Sequence, residues 1–350
     1  MGQDRSQPDV ASARAWLAPL RDLSNRIRDA ARGEMRGALE VGDLARVAQP
    51  VGRGAGDVTF RLDEVTEEIV TAWLAEVARR GPISLLTEDV GWRHVGPGRG
   101  GVRELDGFDH GGPRLALDPI DGTRNLMTDL RSAWTVVSFA GPGSSEPRLT
   151  DISLGIVSEI PDTRAARFRS LSAILGEGCE LAVGELEGPP AMLTTRLRAD
   201  EDDRVDHGYF PFFAYAPDLR SAITELEARF FERLARLEGA ELNSCWDDQY
   251  ISSGGQLALT AMGTYRAVIE TRALMARRRG ISTQVAKPYD MAGAALCASE
   301  AGCVVTTPEG EPLDFPIDTE TPVDFVGYCN AATAARLQSH LNAALRETAG

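Results

Sequence analysis

LDPIDGTRN, residues 117–125, is the stretch that decides the fold, because it places two carboxylates, a peptide carbonyl and a hydroxyl on one turn. Asp118 follows the apolar residues 115–117, which predict the end of a buried strand, and Pro119 fixes a backbone angle that turns the chain sharply. Gly122 permits a close backbone approach. Carboxylate and carbonyl oxygens are the hard ligands that Mg²⁺ prefers, and water or phosphate oxygens complete its octahedron. The segment therefore predicts a magnesium site with a phosphate as its guest.

Composition and charge predict an ordinary soluble protein. The chain has 350 residues, 43% of them apolar, which is enough for one large core or two smaller ones. Its 52 acidic and 37 basic residues give a net charge of −15, which argues against nucleic acid because phosphate backbones require basic patches. Residues 1–5 lack the apolar core of a signal peptide, and no stretch has the length of an apolar transmembrane helix. We expect a cytoplasmic protein without a membrane partner.

Apolar periodicity predicts alternating helices and strands, and hence an α/β protein. Helices are predicted at 11–47, as one or two amphipathic helices, and at 63–79, 219–237, 255–262 and 292–301. Strands are predicted at 83–86, 133–140, 152–157, 173–175, 191–193 and 267–270. A loop at 141–145 predicts a domain boundary, so the chain divides into amino-terminal helices (1–47), an α+β metal-binding domain (48–150) and an α/β substrate-specificity domain (151–350).

Acidic residues lie at the ends of two other predicted elements. Glu88 and Asp89 follow the strand at 83–86, and strand ends are where α/β proteins usually place their chemistry. Asp290 precedes an apolar helix rich in small residues. Taken alone, an Asp at that position is most often a helix N-cap.

The segment 91–113 is unusually rich in glycine and poor in apolar residues. This composition predicts a mobile loop and no regular element. Two interpretations stay open, a lid over the site and an insertion without function, because long loops are of either kind.

Four motifs occur in an order that resembles the inositol monophosphatase and fructose-1,6-bisphosphatase superfamily, whose members are metal-dependent, lithium-sensitive-type phosphatases. They are Asp63 within residues 57–67, the acidic pair 88–89, the segment 118–125, and YDMA at 289–292. The resemblance spans roughly residues 50 to 305. It implies a five-layer α/β/α/β/α sandwich. It also implies a homodimer, because relatives commonly dimerise.

The resemblance implies a set of metal ligands on these motifs. One Mg²⁺ would be held by Glu88, Asp118 and the Ile120 carbonyl, and a second by Asp118, Asp121 and Asp290. The cofactor is therefore Mg²⁺, as two or three ions. Two metals that share a carboxylate lower the pKa of a bound water and neutralise the phosphate that it attacks.

The resemblance also implies the catalytic and phosphate-binding groups. Thr123 and Asp63 would orient and deprotonate the attacking water, and Glu88 would take part in catalysis as a ligand. Backbone amides of Gly122 and Thr123, at a helix start, would point at the phosphate.

Three positions depart from the family pattern. Asp89 stands where a second Glu is usual, and Tyr289 stands where Trp is commonest, a change expected to affect only packing. The family's Gly-Ser-Ala-Ala segment, which helps to hold a polyol, has no clear counterpart near residues 251–256.

The predicted function is Mg²⁺-dependent hydrolysis of a phosphomonoester of a small sugar or cyclitol, inositol monophosphate-like or fructose-1,6-bisphosphate-like, by metal-activated water. Alternatives are a phosphatase of a 3′-phosphonucleotide or histidinol phosphate, and a non-catalytic homologue that binds a phosphorylated metabolite. A second substrate phosphate would need fixed basic partners. The candidates for that role are Arg124, Arg131, Arg272 and Lys287.

Overall fold

The computed structural model describes residues 9–53, 58–187 and 192–348. The chain start, used above to argue against a signal peptide, and Asp57 of the first motif lie outside this range. Within it the helices are α1 (Val10–Glu40), α2 (Arg61–Ala78), α3 (Thr123–Leu126), α4 (Pro217–Glu238), α5 (Ser253–Ala261), α6 (Arg272–Arg279), α7 (Pro288–Ala301) and α8 (Ala331–Glu347).

The strands of the amino-terminal half come first along the chain. They are β1 (Pro50–Arg53), β2 (Val58–Phe60), β3 (Ile83–Thr87), β4 (Gly91–Gly98), β5 (Gly101–Glu104), β6 (Arg114–Asp121), β7 (Ala133–Ala140), β8 (Ile152–Ile160), β9 (Arg167–Ile174), β10 (Gly178–Glu185) and β11 (Met192–Leu197). The later strands are β12 (Gly208–Tyr209), β13 (Cys245–Trp246), β14 (Ala267–Glu270), β15 (Val304–Thr306) and β16 (Phe325–Tyr328).

A nine-stranded sheet forms the frame of the molecule, in the order β11-β10-β9-β8-β7-β6-β3-β4-β5. Neighbouring strands are antiparallel except for β3 and β6, which are parallel and pair Thr87 with Leu117. The carboxyl ends of these two strands therefore lie side by side. Parallel strands that end together are where open α/β sheets place ligands.

The order of the layers is given by the face of the large sheet on which each helix packs. α1 and α2 pack on one face of the large sheet, and α5 and α7 pack on the other. The three-stranded sheet β14-β16-β15 covers the far side of α5 and α7, and α4, α6 and α8 close the outside. The order is α/β/α/β/α, so the predicted five-layer sandwich is confirmed.

Apolar periodicity explains why α1 lies on the sheet. Leu20, Leu23 and Ile27 recur at helical spacing and are almost completely buried against the strands. The segment predicted as one or two helices is a single long helix followed by one 3₁₀ turn, Leu44–Arg46.

The prediction of a mobile loop at residues 91–113 was wrong. β4 and β5 form an antiparallel hairpin there and add two strands to the edge of the large sheet. The hairpin is stabilised by a backbone ladder to β3 and by edge contacts of the Phe108 ring with Trp92 and His94. The glycine-rich composition predicted a loop because it does not show that the segment pairs with β3. That pairing supplies the backbone hydrogen bonds that keep the hairpin ordered.

The boundary expected at residue 150 falls between β7 and β8, which are paired neighbours in the same sheet. A division there would split that sheet. We propose instead that the amino-terminal unit extends through β11 and that the second unit begins with the segment before β12. No helix within the described part of the chain is long and apolar enough to cross a bilayer.

Candidate active site

One cavity of about 550 Å³ brings together every residue that the sequence predicted as a metal ligand, a catalytic group or a binder of the reacting phosphate. It opens where β3, β6 and the first turns of α2 and α7 meet. The predicted residues along its wall are Asp63, Glu88, Asp118, Ile120, Asp121, Gly122, Thr123 and Asp290. Their convergence follows from the fold; their individual roles remain proposals.

The 117–125 segment reaches the cavity as a bulged strand. β6 continues through Pro119 to Asp121, and its pairing with β7 shifts register between Asp118 and Asp121. The expectation that the strand ends at Asp118 is therefore corrected: the proline produces an irregularity and no sharp turn. The bulge lets both carboxylates line the same cavity, although regular strand residues three apart face opposite sides.

Gly122 ends this strand in a conformation that other residues rarely adopt. Its φ is +98°, and a Cβ atom there would lie 2.8 Å from the Ile251 carbonyl oxygen. Glycine is required for both reasons. The helix that follows, α3, is a single turn, so the predicted phosphate-binding role of the Gly122 and Thr123 amides rests on their position in the cavity wall.

The remaining acids come from elements distant in sequence. Glu88 directly follows β3, and the parallel pairing of β3 with β6 places it next to Asp118. Asp290 lies in the first turn of α7, where its Oδ2 accepts a hydrogen bond from the Lys287 backbone N–H at 2.9 Å. It is therefore a helix cap and a cavity carboxylate at the same time.

The carboxylates raise one another's pKa. Burial raises the pKa of Asp118 well above its ordinary value, and repulsion from Asp121, Asp290 and Glu88 raises it further. The pKa of Asp290 is raised by burial and then by Asp121 and Glu88. The pKa of Asp121 rises only to about 6, since hydrogen bonds to its carboxylate offset part of the burial. Carboxylates in this relation are stabilised by a cation between them.

These donors fit Mg²⁺ by their chemistry. They are hard, anionic oxygens, joined by the Ile120 carbonyl, as this ion prefers. Along the described residues, however, no group of three or more Asp, Glu, His and Cys side chains is arranged to hold a metal ion as it stands. The side chains would have to move together around the ion.

Thr123 connects the carboxylates to Asp63. The Thr123 hydroxyl oxygen lies 3.0 Å from Asp63 Oδ1 and 2.9 Å from the Ile120 carbonyl oxygen, and its single proton serves one acceptor at a time. Asp63 also accepts the Phe60 N–H at 2.8 Å in the first turn of α2. Burial raises the pKa of Asp63 to about 6, despite these two hydrogen bonds.

The start of α5 is the part of the site that was missed. Asp121 Oδ2 accepts the Ser252 hydroxyl and the Gly254 N–H, each at 2.7 Å, and Oδ1 accepts the Ser253 N–H at 3.2 Å. Residues 251–256 therefore support the site, although the family's polyol-holding segment had no visible counterpart there. The available signal was Ser252 before two glycines, which is typical of a helix start approached closely by another group.

The basic candidates are largely occupied by the protein itself. Arg131 lies outside this cavity and binds Asp248, with Nη1 to Oδ1 at 2.6 Å. Arg272 lines the cavity but is buried against Glu270, which accepts its Nε and Nη2 donors at 2.7–2.9 Å. Lys287 Nζ donates to the Glu320 carbonyl at 2.6 Å. The fourth candidate, Arg124, lines the cavity near the Phe60 ring.

Comparison with solved structures identifies the architecture. A hypothetical protein from Pyrococcus horikoshii, described as having similarities to inositol-1 monophosphatase, is 13% identical with a TM-score of 0.59, over 95% of this chain and 98% of that one. An inositol monophosphatase from Thermotoga maritima is 15% identical with a TM-score of 0.58, over 95% and 100%. The chain has the inositol monophosphatase fold.

The inositol monophosphatase fold also occurs in inositol monophosphatase II from Staphylococcus aureus, which is 16% identical with a TM-score of 0.53, over 94% of this chain and 97% of that one. Other structures of the staphylococcal enzyme hold inositol monophosphate and 2′AMP. No protein-family model and no curated protein sequence matches the chain. At these identities the likeness concerns the inositol monophosphatase fold, and residue roles are argued from geometry.

Proposed function

We propose that the chain is a Mg²⁺-dependent phosphatase that hydrolyses a small phosphomonoester by direct attack of water. The observation that supports this most is the convergence of four carboxylates, Glu88, Asp118, Asp121 and Asp290, with a separate Asp63–Thr123 pair in one cavity. The carboxylates would hold the cations. The pair would handle the water and its proton.

The residues that would hold Mg²⁺ are Glu88, Asp118, the Ile120 carbonyl, Asp121 and Asp290. When bound, the ions supply a Lewis acid for the phosphoryl oxygens and lower the pKa of coordinated water. Two or three ions would also reverse the local field, so an acidic site could accept an anionic substrate.

The chain's own contribution to the water step lies at Thr123 and Asp63. At neutral pH a carboxyl with a pKa of about 6 is mostly ionised and can accept a proton. The Thr123 hydroxyl can donate to Asp63 Oδ1 and use a lone pair to orient a water molecule. A proton leaving that water passes to the Thr123 oxygen as the Thr123 proton passes to Asp63.

The substrate proposed is a monophosphate of a small sugar or cyclitol. A bisphosphate needs a second set of fixed cations. Of the four basic candidates, Arg272 and Lys287 are paired with groups of the protein, Arg131 lies outside the cavity, and Arg124 lines it singly. This favours an inositol monophosphate-like over a fructose-1,6-bisphosphate-like substrate. A homodimer remains a separate prediction that solution light scattering tests.

Phosphate release from purified protein tests the proposal. The panel contains inositol monophosphate, fructose 1,6-bisphosphate, histidinol phosphate, a 3′-phosphonucleotide and 2′AMP, each assayed with Mg²⁺ and with EDTA. Release that depends on Mg²⁺ and disappears in Asp290→Asn supports a phosphatase. Binding of these compounds without release would favour the non-catalytic homologue, and release that EDTA does not change would contradict the metal-dependent mechanism.

A further inference from the structure

Asp89 makes a contact that ties the segment before α2 to the turn after β3. Its Oδ1 accepts the Thr59 hydroxyl of β2 at 2.7 Å, across 30 positions of the chain. β2 pairs with β1 in a two-stranded ribbon outside the large sheet. The hydrogen bond therefore connects that ribbon to the end of a strand of the large sheet, next to Glu88.

The peptide that follows Thr59 carries a donor to Asp63. The Phe60 N–H, which belongs to that peptide, donates to Asp63 Oδ2 at 2.8 Å, and the Thr123 hydroxyl oxygen lies 3.0 Å from Oδ1. The donor at Oδ2 is thus anchored through Thr59 to Asp89. Asp63 and Asp89 also line one small cavity of about 20 Å³, so the anchor and the carboxylate that it orients are close in space.

A threonine suits this anchoring position for two reasons. Its branched Cβ restricts the side-chain rotamer, so a bond at the hydroxyl also restrains the backbone of the residue. A hydroxyl that donates to a carboxylate makes a charge-assisted hydrogen bond, which is roughly twice as strong as a bond between neutral groups. Without this bond the first turn of α2 could shift, and a displacement of about 1 Å in a reacting group can lower the rate by about 100-fold.

We propose that Thr59 and Asp89 are positioning residues that hold the Asp63 carboxylate in place for the water step. The bond fixes the peptide after Thr59, and the N–H of that peptide fixes Oδ2 of Asp63. Of the two adjacent acids after β3, Glu88 lines the large cavity and Asp89 supports the proton acceptor. This inference rests on the proposed function, in which Asp63 receives the proton of the attacking water.

Steady-state kinetics in Mg²⁺, on the panel substrate that the wild type hydrolyses fastest, test the proposal. Thr59→Val removes the hydroxyl with little change of shape and should lower kcat by about tenfold. Because Thr59 is not part of the wall of the large cavity, KM and the Mg²⁺ affinity measured by calorimetry should change by less than about twofold. Thr59→Ser restores a hydroxyl and should bring kcat to within about twofold of wild type.

Thr163→Val is the matched control for a general loss of structure. The Thr163 hydroxyl also donates to an aspartate distant in sequence, Asp129 Oδ2, at 2.8 Å, and neither residue lines the two cavities. Both valine variants should lower the melting temperature by similar amounts, but only Thr59→Val should lose turnover. An equal loss of kcat in Thr163→Val would assign the effect to stability and overturn the inference.

A second background tests whether Thr59 acts through Asp63. In Asp63→Asn the proton acceptor is already lost, so adding Thr59→Val should change kcat by less than about twofold. A further tenfold loss in that background would mean that the hydroxyl acts on another group, and it would overturn the positioning role.

The two levels of the hypothesis fail differently. Wild-type kcat in Thr59→Val would overturn the positioning role and leave the proposed phosphatase intact. A wild-type protein that releases no phosphate from any member of the panel would overturn both.

Discussion

The two sides of the cavity treat charge in opposite ways. Its carboxylate floor, which is Glu88, Asp118, Asp121 and Asp290, collects acids that repel one another. Its rim, which is Phe213, Tyr215, Arg272 and Lys287, carries two basic groups that are paired within the protein, Arg272 with the buried Glu270 and Lys287 with the Glu320 carbonyl. Under the proposed function the floor would be completed by cations from solution, whereas the rim charges are paired within the protein. Chemistry is therefore expected on the floor, and selection of the leaving group at the rim.

The rim also shows that a buried arginine on the cavity wall can have a structural role. The guanidinium of Arg272 packs on the rings of Phe213 and Tyr215, 4.5 and 5.0 Å from their centroids, and donates to the Gln284 carbonyl at 2.9 Å. Together with Glu270, these contacts engage all three guanidinium nitrogens of Arg272 and place the group beside two aromatic rings. Arg272 thus ties the rim segments together.

The largest expected effect is the loss of turnover when one floor carboxylate becomes an amide. Asp290→Asn should lower kcat by at least about 10³-fold, since losing a metal ligand removes several kcal/mol of charge stabilisation. Its Oδ can still accept the Lys287 N–H, and repulsion within the floor falls. The melting temperature in EDTA should therefore stay equal or rise, and a fall would show that the carboxylate is structural.

Asp121→Asn provides the contrast within the floor. An amide NH₂ would face one of the hydroxyl or N–H donors at the start of α5, so about 1–3 kcal/mol of stability should be lost together with turnover. Urea unfolding of the two variants in EDTA measures the difference. Equal stability would contradict the anchoring of α5 by Asp121.

Thr123→Ala should reduce kcat by about 10²-fold and change Mg²⁺ affinity by less than twofold, because its hydroxyl serves the water and not the ion. The Thr123 hydrogen bond lowers the pKa of Asp63, so its loss should raise that pKa above about 6. Activity that falls below about pH 6 in the wild type should then begin to fall at higher pH. Thr123→Ser should behave as wild type, and weakened Mg²⁺ binding as the main defect would reject the role.

The part of the floor that could be predicted from local sequence is the pair Asp118 and Asp121, which lie in one short motif. Asp118 to Thr123 are within six residues, and Glu88 follows a strand whose end could be recognised from its apolar run. The register shift at Pro119 could not be predicted, because it depends on how β6 pairs with β7. A local motif thus identified Asp118 and Asp121 without the bulge that brings both to the cavity.

Contacts that leave no pattern in the sequence explain what could not be predicted. Ser252 and Asp121 are 131 positions apart, and no periodicity links them. Arg272 was a candidate for binding a substrate phosphate, because the sequence does not show that its guanidinium bonds the carboxylate of Glu270, two positions earlier. The hairpin at β4–β5 was missed for the same reason, since its partner strand β3 comes from outside the segment.

A double-mutant cycle at Glu270 and Arg272 tests whether the rim is held by its internal ion pair. Each single change, Glu270→Met or Arg272→Met, leaves one buried charge unpaired and should cost about 3–5 kcal/mol of stability. The double change should cost clearly less than either. KM should rise several-fold while kcat stays within about threefold; a collapse of kcat instead would make Arg272 part of the chemistry.

The other end of β3 carries a neutral hydrogen-bond chain that contrasts with the charged floor. The Gly112 N–H donates to His110 Nδ1 at 3.0 Å, so the neutral ring carries its proton on Nε2. That proton points at the Ser84 oxygen 2.7 Å away, and the Ser84 hydroxyl then donates to His94 Nδ1 at 2.8 Å. Protonating either histidine breaks a link, and burial accordingly lowers the pKa of both.

Lowering the pH should therefore stabilise the protein through the groups at one end of β3 and destabilise it through the groups at the other end. Floor acids with a raised pKa take up protons more readily when folded, so they stabilise the protein as the pH falls. His94 and His110 have a lowered pKa in the folded state, so their contribution is full above 6.5 and is lost as the pH falls below it. The measured quantity is the melting temperature at pH 5 minus the melting temperature at pH 7. In a variant with both histidines replaced by Gln, this difference should be about 2 °C more positive than in the wild type. Melting curves in EDTA measure this smallest effect, and an unchanged pH dependence would mean that the hairpin does not depend on neutral histidines.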